Sequence, residues 1–129
     1  MTSNDLDLSE LAEAWVALQY VDHTSPDHIS FLRKTYSLDD LVQDDPFAVL
    51  EIIRLILQLD STPHITTNLG AGLLEDLLTK SGSRVIDRVE EFARSSDSFR
   101  QCLLNTWYNS IDPGIQERIR NTIDSAERS

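Results

Sequence analysis

Apolar side chains recur every three or four positions along almost the whole chain, and no run alternates cleanly enough to mark a strand. Leu8, Leu11, Trp15 and Leu18 form one stripe, with Asp7 placed as an N-cap and Glu10 as its reciprocal partner. Residues 22–27 (Asp-His-Thr-Ser-Pro-Asp) read as a loop broken by Pro26. Ile29, Phe31 and Leu32 predict a short helix, and Leu38, Leu41 and Val42 another. Asp45-Pro46 is a sharper signal: an N-cap carboxylate followed by a proline where a missing N–H costs nothing. From Phe47 to Leu59 only Glu51, Arg54 and Gln58 are strongly polar. That leaves one wet strip on an apolar cylinder and predicts a buried central helix that Thr62-Pro63 ends.

Four further stripes follow. Leu73, Leu74, Leu77 and Leu78 predict a helix that Gly82 stops. Val85, Ile86, Val89, Phe92 and Ala93 predict the next, with Ser83 as its cap. Phe99, Leu103, Thr106 and Trp107 predict a third, capped by Asp97. Asp112-Pro113 repeats the earlier start signal and opens a last helix with Ile115, Ile119, Ile123 and Ala126 inward. Cys102, Trp15 and Trp107 fall on apolar stripes and are assigned to the core. The expected fold is all-α: one domain over residues 1–129, a compact bundle of six or seven short helices, with stacked antiparallel hairpins as one arrangement.

Composition supports this and narrows the setting. Hydrophobic residues at 40% and charged residues at 26% belong to a globular chain, and 4 glycines with 4 prolines are too few for a turn-rich β fold. The start lacks a basic segment followed by an apolar one, so no signal peptide and a cytoplasmic location are expected. The longest apolar stretch falls short of the roughly 20 residues that span a bilayer. A single cysteine excludes an internal disulfide and a Cys-rich zinc site.

Charge changes the picture more. The formal net charge is −11, and it is unevenly placed. Residues 1–45 carry ten carboxylates, Asp5 among them, against Arg33 and Lys34, whereas residues 84–129 carry eight against seven arginines. Such a field repels phosphate backbones and anionic lipid and attracts basic proteins, so neither nucleic acid nor membrane is expected as a partner.

The residues Leu69-Gly70-Ala71-Gly72-Leu73-Leu74-Glu75-Asp76 suggest a phosphate loop, but a Walker-type loop needs Gly-Lys-Ser/Thr, and Glu75 and Asp76 stand where the phosphate would sit. Close helix approach or a tight turn is the better reading of the two glycines. Asp87 shares a helix face with Glu90 and Glu91, but Arg84, Arg88 and Arg94 flank them, and Glu90 with Arg94 makes a favourable i,i+4 pair. His23 and His28 lie five apart across Pro26, not at the i,i+4 spacing of a helical zinc pair.

The segment Leu69–Leu78, with Ile86-Asp87-Arg88-Val89-Glu90, Phe99-Arg100 and Trp107, resembles an uncharacterised family of small bacterial proteins. That family carries Leu-Gly-Ala-Gly-x-Leu-Glu-Asp-Leu-Leu and Ile-Asp-Arg-Val-Glu segments. Leu38-x-x-Leu41-Val42 and Asp45-Pro46 fit its pattern too, so the resemblance spans roughly residues 38–107. Proline is common in the family where this chain has Leu73, a position compatible with a helix start. The resemblance implies no activity and no catalytic residues.

The expected function is a non-catalytic acidic binding module, of immunity or antitoxin type, that neutralises a basic protein such as a toxin. Tyr36 is its expected aromatic anchor, and Asp39, Asp40, Asp44 and Asp45 its charged contacts. No catalytic residue, cofactor or metal is expected. The alternatives are a small metal-dependent hydrolase using His64 with Glu75, Asp76 or Asp87, and a scaffold subunit or homodimer pairing through an apolar face of the last helix.

Overall fold

The structure, a computed structural model, describes residues 7–128; Asp5 lies outside that range. Among the described residues all regular structure is helical: α1 (Leu8–Leu18), α2 (Pro26–Thr35), α3 (Leu38–Asp44), α4 (Pro46–Leu59), α5 (Pro63–Leu69), a π-helical turn (Gly70–Leu74), α6 (Glu75–Ser95), α7 (Asp97–Leu104) and α8 (Pro113–Arg128). The protein is an all-α bundle. Residues 63–95 are helical without a break, so α5, the π-turn and α6 make one rod.

Every proline opens a helix: Pro26, Pro46, Pro63 and Pro113 are the first residues of α2, α4, α5 and α8. Their fixed φ suits the first turn, where an N–H has no acceptor to reach. Aspartates and serines supply the caps. The Asp7 carboxylate accepts from Glu10 N–H at 3.2 Å, Ser25 Oγ from Asp27 N–H at 3.2 Å, and Asp45 from Ala48 N–H at 3.2 Å. Asp112 accepts from the N–H groups of Gly114 and Ile115. At α7 the cap is Ser96, which accepts from Phe99 N–H, and not the expected Asp97, which is the first residue of the helix.

Helix α4 is central, as its pattern predicts. Val49, Ile52, Ile53 and Ile56 are fully buried, while Glu51 and Arg54 pair with each other on the wet strip. Around α4 lie α1, α3 and the rod; α1 also packs on α2, and α6 on α8. One apolar cluster runs through α1, α3, α4, the rod, α7 and α8. Ile115, Ile119 and Ile123 face it, with Ala126 half-buried.

Gly82 does not stop a helix. The departure from helical geometry falls one residue earlier, at Ser81 (φ −138°, ψ 19°), and α6 continues past it. There the Ser81 hydroxyl donates to Val42 O at 2.7 Å, and one turn on Arg84 donates to Gln43 O at 2.7 Å. Two side chains of α6 thus satisfy last-turn carbonyls of α3 that have no partner within their own helix. A kink with a side-chain bond at its apex suits both helices better than a stop would.

The two motif glycines have different duties. A Cβ on Gly70 would lie 2.2 Å from the Cys102 carbonyl oxygen, so α7 rests directly on bare backbone there. A Cβ on Gly72 would meet nothing within 4 Å. Gly70→Ala is therefore expected to cost about 1–3 kcal/mol by overpacking, and Gly72→Ala to be neutral or to gain up to about 1 kcal/mol in helix propensity. Urea denaturation of the two variants separates them, and equal destabilisation would contradict this division.

Candidate functional site

Helix α2 is an inverted amphipath. Its inner side carries Thr35, buried, with His28 and Phe31 half-buried, and it adds no side chain to the apolar core. Ile29, Leu32 and Tyr36, spaced three and four apart on one face, are instead exposed, Tyr36 by 76%. The chain turns at Ser37 into α3, whose Leu38 and Val42 are buried and whose Asp39, Asp40 and Asp44 are exposed. Asp40 and Asp44 lie four apart, hence on one face. None of these three carboxylates bonds or pairs with a described residue, whereas Asp45 is spent as the α4 cap. Arg33 and Lys34 close the last turn of α2 and complement its dipole.

This distinction matters because much of the acidity is structural. Asp7, Asp22, Asp45, Asp60 and Asp112 all accept from nearby backbone N–H groups at helix starts and turns. Hydrogen bonds from Thr24 hold the Asp22 carboxyl below its usual range, and bonds from Thr62 and Tyr20 do the same for Asp60. Asp39, Asp40 and Asp44 have no such duty.

The carboxylates and histidines proposed for metal chemistry do not meet. Among the described residues no group of three or more His, Cys, Asp or Glu side chains is placed to hold a metal ion. The His64 Nε2–H donates to Gln19 O at 2.8 Å, at the end of α1, and the ring lies 4.9 Å from that of Tyr20. Tyr20 in turn donates to Asp60 at 2.6 Å, a bond that raises its own pKa. This cluster ties α1 to the α4–α5 connection. Glu75 accepts from the Trp107 backbone N–H at 3.3 Å. Asp87 and Glu90 both accept from Arg118 of α8, so the expected Glu90–Arg94 pair is replaced by a contact between helices. His23 and His28 approach edge-on, with ring centroids 6.1 Å apart.

Trp107 is not a core residue: it is 67% exposed. The helical spacing that placed it inside ends too soon, because α7 stops at Leu104 and Asn105 leaves helical geometry (φ −96°, ψ 4°). Thr106 is held inside by hydrogen bonds to Gly70 O and Cys102 O. Beside this connection lies a cleft of about 340 Å³ between the end of α7 and α8, with Leu104 exposed at its edge. Helix α8 carries no exposed large apolar side chain. Ile29, Leu32, Leu104 and Trp107, and Phe47 and Leu59 at the two ends of α4, are apolar residues whose exposure the pattern does not report. A polar inner face, His28 with Thr35, was the available signal for α2.

No described helix is long and apolar enough to cross a membrane. The chain matches the model of DUF6869, a family of unknown function, over residues 19–126. The chain belongs to that family. The match is wider than the 38–107 of the motif resemblance and adds α2 and most of α8. Searches of curated proteins and of solved structures found no match.

Burial pushes the Cys102 thiol from 9.0 up to about 12 and the Tyr108 phenol from 10.0 up to about 12. Both groups lose their proton more readily in the unfolded chain. Their stabilisation is therefore whole below about pH 9 and is lost as pH rises from 9 toward 12. The urea midpoint is expected to fall across that window, and Cys102→Ala to remove the earlier part of the fall. The native thiol should resist a soluble disulfide reagent until the protein unfolds; rapid reaction in the folded state would refute its burial.

Proposed function

We propose that the protein is a non-catalytic binding module of immunity or antitoxin type, which covers a basic protein partner in a bacterial cytoplasm. The observation that carries this reading is the outer face of α2. Ile29, Leu32 and Tyr36 form an apolar line that the bundle leaves uncovered, next in the chain to three exposed carboxylates that have no hydrogen-bond or ion-pair partner among the described residues. An aromatic and aliphatic centre with a charged border is the usual make-up of a protein interface. Asp39, Asp40 and Asp44, within a net charge of −11, favour a cationic partner and speed its approach. Tyr36 is the anchor. Asp45 acts mainly through the position of α4, because its carboxylate is already engaged.

The test is affinity capture from the native host followed by binding kinetics. A partner of basic pI is expected, with an association rate that falls steeply with added salt. Joint neutralisation of Asp39, Asp40 and Asp44 to Asn should lower that rate by about tenfold, and Tyr36→Ala should cost about 2 kcal/mol of affinity, mostly in dissociation. An acidic partner, or a basic one whose kinetics ignore both changes, would sink the reading.

A further inference from the structure

The cleft between α7 and α8 has a composition that points to a small ligand. Leu103, Leu104, Ile119 and Ile123 give it apolar walls, and the ring of Tyr108 lines it as well. Its neutral polar groups are already engaged. Thr106 donates to Gly70 O and Cys102 O, the Tyr108 hydroxyl donates to Leu103 O at 2.7 Å, and the Gln116 amide donates to Tyr108 O and Ile111 O. Two charged residues remain on the lining, Arg120 and Asp124, both exposed and neither in a side-chain hydrogen bond or ion pair with a described residue. They stand one turn apart on α8, so their Cβ atoms are about 5–6 Å from each other.

We propose that this cleft binds a compact apolar zwitterion, a free amino acid with a large apolar side chain. The side chain lies against the aliphatic walls and covers Leu104, which is 56% exposed. The α-carboxylate faces Arg120 and the α-ammonium faces Asp124. Opposite charges on one carbon of the ligand match opposite charges on adjacent turns of one helix. A volume of about 340 Å³ accommodates such a molecule, and apolar walls with a few oriented polar groups are the common form of a small-molecule site.

Titration of the full chain with L-leucine and L-phenylalanine, followed by the methyl NMR signals of Leu103, Leu104, Ile119 and Ile123, tests this directly. Saturable shifts are expected for both amino acids and none for glycine, which lacks the apolar group. Isocaproate and isoamylamine, which each keep one charge of leucine, should bind at least about threefold more weakly. Arg120→Gln and Asp124→Asn change exposed side chains, so the free protein should keep its methyl spectrum while leucine binding weakens about threefold to fivefold in each. No saturable shift with either amino acid would overturn the proposal. So would equal binding of the singly charged analogues, or unchanged affinity in both variants. Neither reagent nor variant touches α2 or α3, so failure here leaves the protein-binding reading standing.

Discussion

Helix α7 can lie where it does only because position 70 has no side chain. The Cys102 carbonyl occupies the space a Cβ would take, and the Thr106 hydroxyl binds the carbonyls of both Gly70 and Cys102. This contact lets Phe99, Cys102 and Leu103 reach full burial against the rod. It also fixes the exit of α7, and with it the path of residues 105–112 and the start of α8. The π-turn at Gly70–Leu74 places a wider coil at the point of closest approach. Glycine costs a helix about 1 kcal/mol relative to alanine; at position 70 that cost is offset by the burial it permits.

Further along the rod, Ser81 and Arg84 reach the carbonyl end of α3. The rod is thus held at two places, by bare backbone at Gly70 and by polar side chains past the kink. Arg118 adds a third tie, bridging Asp87 and Glu90 from α8. Each tie joins elements far apart in sequence, and together they set α3, α7 and α8 on the rod.

Local signals in the chain were readable because their physics is local. Asp45-Pro46 and Asp112-Pro113 open helices as a cap followed by a fixed φ must, and the three polar residues of α4 mark its one wet strip. Pro26 and Pro63 obey the same rule and open α2 and α5; the helices before them end earlier, at Leu18 and Leu59, so neither proline is the break that the pattern suggests. Trp107 and Gly82 failed for a different reason. Where a helix stops or merely bends depends on partners such as Gly70 and Val42, which periodicity does not report. Arg118 could not be matched to Glu90 without knowing that α8 lies on α6, and Arg94 stood nearer in sequence. The proposed contact residues Tyr36, Asp39, Asp40, Asp44 and Asp45 all lie exposed, Asp45 with its carboxylate engaged as a cap, while the uncovered line of Ile29 and Leu32 beside them is invisible to a pattern that places apolar residues inward.

The weak inner face of α2 carries one more consequence. With Thr35 its one buried residue, this helix gains little from the bundle and should be among the first segments to open in hydrogen exchange. Anything that covers Ile29, Leu32 and Tyr36 would supply the second half of a core that α2 lacks by itself. Folding of that corner and occupancy of its outer face would then be one linked equilibrium, with the visitor acting as a missing layer of the protein.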